Sequence, residues 1–203
     1  MNKNIMIVGV GGQGALLASK TLGQVLLDAG YDIKVSEVHG MSQRGGSVVT
    51  YVRYGDKVYS PIIDKGEADF IVSFELLEAA RYTEFLKKDG KIVVNTQQIE
   101  PMPVITGAAE YPADLVGKMQ KSGIEVDALD CLSLAEQAGT AKAVNIVLLG
   151  RLSKYMDFSE ESWLKAIEKL VKPAFLEVNK KSLYARPPVT SRKDIRVKPE
   201  YDT

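Results

Sequence analysis

A single cysteine, Cys131, and a single histidine, His39, stand in 203 residues. Iron–sulfur clusters and structural zinc sites need several thiolate or imidazole ligands, so this chain alone can build neither. Any metal-based redox chemistry it serves must sit on another polypeptide. Net charge is missing as well, because 26 Lys and Arg balance 26 Asp and Glu. No global field recruits nucleic acid or an anionic membrane, and any phosphate contact has to be local. No stretch reaches the roughly 18 consecutive apolar residues of a membrane span, and the first residues lack the form of a signal peptide. These absences predict a cytoplasmic chain with no nucleic-acid or membrane partner. Internal repeats and interdomain linkers are also lacking.

What the chain does have is a core-forming pattern, with 45% hydrophobic residues, enough for one α/β domain. Ile5-Met6-Ile7-Val8 is a short unbroken apolar run with β-branched members, as in a strand buried on both faces of a parallel sheet. A glycine-rich turn follows at once. Gly9, Gly11 and Gly14 fit G-x-G-x-x-G, where missing Cβ atoms permit a tight turn, close approach of a ligand and close packing of the next helix. That helix is predicted from Ala15 through Leu22, Val25 and Leu26 to Ala29, with Gly30 ending it. Its free N–H groups and positive dipole end would face whatever the turn binds. A glycine turn that serves packing alone is the alternative.

Asp32 to Val38 alternates like a strand and places Glu37 near its carboxyl end, where an acid grips the ribose hydroxyls in NAD-binding folds. The residues that come next argue against NAD. His39-Gly40-Met41-Ser42-Gln43-Arg44-Gly45-Gly46-Ser47 reads as a polar loop. Arg44 offers a planar fork to a phosphate or carboxylate, Ser42 and Gln43 add donors, and Gly45 and Gly46 open the backbone. Open α/β sheets place their ligand crevice at such a strand end; a solvated, flexible loop is the alternative. His39 has no neighbouring nucleophile or metal partner and is left out of the chemistry.

Val48 to Tyr54 and Val58 to Ile63 flank Gly55-Asp56-Lys57 and predict an antiparallel hairpin, its Tyr51, Tyr54 and Tyr59 available for a subunit interface. Alternation then resumes with a strand at Phe70 to Phe74, a helix from Leu76 through Phe85 closing at Lys87 to Gly90, and a strand at Ile92 to Val94. Glu75 and Asn95 to Gln98 follow strand ends and are expected to reach the crevice of the glycine turn, with helix capping the alternative for Glu75. Beyond a proline-rich connection at Glu100 to Pro112 come a helix at Ala113 to Ser122, a strand at Ile124 to Leu129 and a helix at Leu132 to Ala138. Ala143 to Gly150 is apolar nearly all round, which means a buried helix whose Asn145 needs a hydrogen-bond partner. Ser159 caps a helix with a Trp163, Leu164, Ile167 stripe, and Pro173 opens a last one that turns Phe175, Leu176, Leu183 and Tyr184 inward. The expected fold is an open Rossmann-like, mostly parallel sheet with helices on both faces, an antiparallel hairpin and a C-terminal helical segment. It forms one α/β domain at 1–186 with a basic extended tail at 187–203.

Four stretches, Gly9 to Gly14, Glu37 to Gly46, Gly66 to Asp69 and Val94 to Thr96, resemble the γ-type subunit of 2-oxoacid:ferredoxin oxidoreductases. The His39 to Gly46 loop is most similar to that of the β-type subunits of indolepyruvate:ferredoxin oxidoreductases, and the resemblance runs from Ile5 to about Tyr184. It implies a subunit, inactive alone, of an enzyme that oxidatively decarboxylates indolepyruvate or another aryl pyruvate, passing the acyl group to coenzyme A and electrons to ferredoxin. Thiamine diphosphate and the iron–sulfur clusters are implied to lie on a large partner subunit, which suits a chain with one cysteine. The γ-type subunit is associated with the coenzyme A side of the reaction. Candidate cofactor-facing residues are therefore Gly9, Gly11, Gly12, Gln13 and Gly14 with Ser42, Gln43, Arg44, Gly45 and Gly46; no catalytic acid or base and no metal ligand is assigned. Two other readings stay open. One is a free-standing NAD(P)- or flavin-dependent oxidoreductase with Glu37 on the ribose, though no hydride-transfer constellation is evident, and the other is a non-catalytic nucleotide-binding module.

Overall fold

The structure is a computed structural model and describes residues 2–37 and 45–186. The Ser42, Gln43 and Arg44 candidates, His39 and the 187–203 tail lie outside the described residues. The expected first strand is β1, Lys3–Val10, with Ile5 to Val8 fully buried. The glycine turn leads into α1, Ala15–Asp28, and Gly30 takes a left-handed φ of 85° just past its end. Next come β2, Asp32–Glu37, and β3, Ser47–Gly55. Residues 38–46 join them, too few for the dozen or so that a parallel crossover needs, so β3 folds back antiparallel on β2. The chain continues through β4, Ala68–Ser73, α2, Leu76–Arg81, and β5, Leu86–Asn95. After α3, Met102–Ile105, and α4, Leu115–Lys121, it reaches β6, Glu125–Leu129. The C-terminal helices are α5, Cys131–Ala138, α6, Val144–Leu152, α7, Glu160–Leu170, and α8, Leu176–Leu183.

The strands lie in the order β2-β3-β1-β4-β5-β6. β1, β4, β5 and β6 pair in parallel, and β3 sits antiparallel between β1 and β2. β2 therefore still runs with β1, and its carboxyl end faces the same way as the glycine turn. Side chains alternate across the sheet. Ile5, Ile7, Val52, Val72 and Val93 pack with α1, α6 and Trp163 of α7 on one face. On the other face Met6, Val8, Ile71, Ile92 and Val94 pack with Leu76 and Ala79 of α2 and Leu115 and Met119 of α4.

Three local expectations are corrected. The antiparallel hairpin exists, but its strands are β2 and β3 rather than 48–54 and 58–63. Both edges of β3 are already taken by β1 and β2, and Pro61 has no N–H for a ladder. Residues 58–63 instead run as irregular chain, tied by Val58 N–H to Asp32 Oδ2 at 2.8 Å and by Arg53 Nη1 to the Ile62 carbonyl at 2.6 Å. Gly90 does not end a helix. It lies within β5, where an added Cβ would come 2.8 Å from the Ala68 carbonyl oxygen, beside the register shift between β4 and β5. Phe175 and Tyr184 turn outward, 56% and 36% exposed, because Phe175 closes the short 3-10 turn before α8 and Tyr184 caps that helix's end, so neither joins its inner face. Of the hairpin tyrosines, Tyr54 is core, stacked edge-on against Tyr31 at 5.2 Å, and Tyr59 is 87% exposed.

Candidate functional site

Two glycine motifs more than 30 positions apart in sequence meet at the carboxyl end of β1. Gly11 N–H donates to the Gly46 carbonyl at 2.8 Å, so the turn and the end of the 38–46 loop are one structure. Each glycine has its own reason. At Gly9 a Cβ would lie 2.9 Å from Phe74 Cβ and from Gln13 Oε1, so its place is a packing requirement. Gly12 has a φ of 98° with nothing within 4 Å of the Cβ position, so conformation alone requires glycine there and the space above it is free. Gly14 combines both demands, with a φ of 89° and Asn145 Nδ2 3.0 Å from where a Cβ would stand. Asn145 finds its partners here, donating to the Gly14 carbonyl at 3.4 Å and accepting from Ile146 N–H at 2.9 Å.

Gln13 is committed to the shape of the turn. Its Oε1 accepts from Val10 N–H at 2.7 Å, and its Nε2 donates to the Phe74 carbonyl and to Gln97 Oε1, both at 3.1 Å. Gln97, from the polar stretch after β5, thus reaches the turn as expected. Gly14 caps α1 without any side chain, and the helix has no acid in its first turn. Elsewhere Glu75, Asp114, Asp130 and Ser159 each close a helix start with a side-chain oxygen. Leu17 N–H turns back to the Gly14 carbonyl at 3.1 Å, while the N–H groups of Ala15 and Leu16, at the positive dipole end of α1, meet no side-chain cap among the described residues. They open onto a cleft of about 270 Å³, walled by the turn, by Val48 and Thr50 of β3 and by Glu37.

Glu37 accepts from Ser19 Oγ at 2.6 Å. In a dinucleotide fold the strand carrying the ribose acid lies beside the first strand. Here β3 occupies that place, so Glu37 stands one strand further away. Its carboxylate suits a hydroxyl or amino donor at the far wall and disfavours a phosphate there.

A second polar cluster adjoins the end of the loop, and only part of it is legible in sequence. Glu75, 1% exposed, caps α2 by accepting from Glu78 N–H at 2.8 Å. It also accepts from Ile99 N–H at 3.2 Å and from the Tyr111 hydroxyl, whose ionisation is pushed up by burial and by this bond. The capping alternative is therefore the observed one. Sequence reasoning misses the roles of Glu78, Ser47 and Tyr111, because no local pattern joins positions 47, 78 and 111. Ser47 Oγ donates to Glu78 Oε2, and Arg81 Nε lies 3.2 Å from Glu78 Oε1, so the loop's exit is fastened to α2. Asn95 is spent similarly, donating to the Phe74 carbonyl and accepting from Cys131 N–H, both at 3.1 Å.

Burial holds the Glu78 carboxyl above its usual range, and Glu75 adds to the shift while Ser47 and Arg81 oppose it. A carboxyl whose folded pKa exceeds the unfolded one contributes stability at low pH that is lost as pH rises through the folded value. Glu78→Gln does not titrate, so its stability relative to wild type should shift in the variant's favour as pH climbs through the carboxylate range. Urea midpoints of both proteins at pH 4 and pH 7 check this, and a difference that is flat or moves the other way would show that the group is not destabilised by ionisation.

Among the described residues no group of three or more His, Cys, Asp or Glu is placed to hold a metal ion. Burial pushes the Cys131 thiol up to about 12, which makes it a poor thiolate ligand or nucleophile. No helix of the described residues is long and apolar enough to cross a membrane.

Residues 4–185 match the pyruvate ferredoxin/flavodoxin oxidoreductase family. The chain is 45% identical over 181 residues to the indolepyruvate oxidoreductase subunit IorB of Thermococcus kodakarensis, covering 87% of this chain and 90% of that one. Its fold is similar to that of the pyruvate oxidoreductase subunit PORC of Thermotoga maritima, with a TM-score of 0.67 at 23% identity over 90% of this chain and 93% of that one. It is also similar to part of the 2-oxoglutarate:ferredoxin oxidoreductase of Magnetococcus marinus, solved with 2-oxoglutarate, coenzyme A and succinyl-CoA bound. There the TM-score is 0.68 at 18% identity, over 90% of this chain and 30% of that one.

Proposed function

The chain belongs to the pyruvate ferredoxin/flavodoxin oxidoreductase family, and from that premise we propose how its own residues serve the enzyme. It is a subunit of a 2-oxoacid:ferredoxin oxidoreductase of the indolepyruvate/pyruvate type. Its part in that reaction is to hold coenzyme A. The glycine turn presents the first N–H groups of α1 to a phosphate of the cofactor, and Arg44, on the loop fastened to the turn through Gly46, adds a charged fork. Thiamine diphosphate and the iron–sulfur clusters belong to a large partner subunit. When bound there, they supply decarboxylation and electron transfer to ferredoxin. This chain supplies binding, orientation and an N–H-lined wall, and no proton transfer is assigned to it.

One observation carries the reading: an uncapped helix start facing an open cleft, joined by the Gly11 to Gly46 bond to the loop that bears Arg44. The Magnetococcus relative, solved with coenzyme A and succinyl-CoA bound, supports the choice of ligand. A free-standing dinucleotide enzyme is disfavoured by β3, which separates Glu37 from β1.

Arg44→Lys tests the assignment in the assembled complex. Lysine keeps the charge and loses the two parallel bonds of the guanidinium. The KM for coenzyme A should rise several-fold while that for the oxoacid stays put, and to the extent that solvent reaches the contact the rise should shrink with added salt, since the Debye length at 0.15 M is about 8 Å. An effect confined to the oxoacid would contradict it.

A further inference from the structure

Away from the glycine turn, at the junction of α6, α7 and α8, lies a cavity of about 120 Å³ whose wall includes Lys154, Arg186 and Trp163. Gly150 of α6 brings the helices together there, since an added Cβ would fall on the Leu183 carbonyl. Three cations reach the wall. Arg151 is neutralised by Asp127, to which its Nε and Nη2 donate at 2.5 and 2.8 Å. Lys154 and Arg186 have no such carboxylate among the described residues, and the ammonium of Lys154 is held down by burial and by the nearby Arg151 and Arg186. Glu160 is the one carboxylate on the wall, which leaves the lining with a net positive charge. Trp163 is buried, and its Nε1 is the one buried side-chain polar atom without a hydrogen-bond partner among the described residues. An indole N–H can only donate, so an acceptor is what it lacks.

We propose that this cavity binds one small oxyanion of the phosphate type, held by Lys154 and Arg186 with Trp163 on its wall. Its volume is several times the ~30 Å³ share of one water, which admits a tetrahedral oxyanion and excludes a nucleotide. None of these residues lines the glycine cleft, so the site is independent of the coenzyme A reading.

Trp163 is the only tryptophan in the chain, so its emission reports on this cavity. The test titrates the full chain with inorganic phosphate while sodium chloride holds ionic strength constant. A saturable change in emission is expected. Lys154→Gln and Arg186→Gln should each raise the half-saturating phosphate by about tenfold, the effect of losing one hydrogen bond to a charged group. Gly12→Val, in the other cleft, should leave it unchanged. The proposal is overturned by an emission that does not saturate, or by half-saturation that stays at the wild-type value in both charge variants. Arg186, just past the end of α8, carries the test if circular dichroism shows that Lys154→Gln is misfolded.

Discussion

Gly14→Val is expected to cost the chain about 2–6 kcal/mol, adding strain at a positive φ of roughly 1–3 kcal/mol to overpacking of roughly 1–3 kcal/mol. The overpacking arises because the new Cβ would stand 3.0 Å from Asn145 Nδ2 on a fully packed α6, and the Asn145 to Gly14 bond would be displaced with it. A loss of that size is a large share of the ~5–15 kcal/mol that holds a domain together. Gly12→Val meets the strain and nothing else, since no atom lies within 4 Å of its Cβ position. Thermal unfolding should therefore separate the pair, with Gly14→Val losing far more than Gly12→Val. Equal losses would mean that the Asn145 contact is irrelevant to the turn.

Purified by itself, the chain will not reduce ferredoxin with indolepyruvate and coenzyme A, and activity will appear only when the large subunit is added. The reason lies in the ligand inventory. One cysteine, buried with its thiol pushed up to about 12, and one histidine cannot ligate an electron-transfer cluster. An anaerobic assay of the chain alone and of the reconstituted pair checks it, and turnover by the chain alone would refute the subunit reading.

Much of the fold is legible in the sequence because its signals are local. The apolar run at Ile5 to Val8, the glycines, the cap at Ser159 and the stripe around Trp163 specify their elements within a few residues. The misplaced hairpin shows where local reading ends. Residues 48–54 and 58–63 both look like strands, but which neighbour pairs with which depends on the connection at 38–46 and on edges already filled. Gly90 misleads for a similar reason: a glycine after Lys-Lys-Asp has the pattern of a helix end, while its real constraint is the Ala68 carbonyl, 22 positions away. At the candidate site the turn itself is readable, and the Gly11 to Gly46 bond is not. Gln13 can be named as part of the motif, but only the structure shows its amide spent on Val10, Phe74 and Gln97. The Ser47, Glu78, Glu75, Tyr111 cluster is hidden because its members come from separate segments of the chain.

Whether the cleft above Gly12 receives coenzyme A decides the role proposed for this chain. Calorimetric titration of coenzyme A into the reconstituted complex, with wild-type chain and with Gly12→Val, measures this without relying on turnover. The valine side chain introduced at Gly12 projects into open space rather than into the protein, so the variant should assemble normally and bind coenzyme A about tenfold or more weakly, the cost of losing roughly one charge-assisted hydrogen bond. Wild-type affinity in an assembled Gly12→Val complex would contradict that role and leave the turn a packing device.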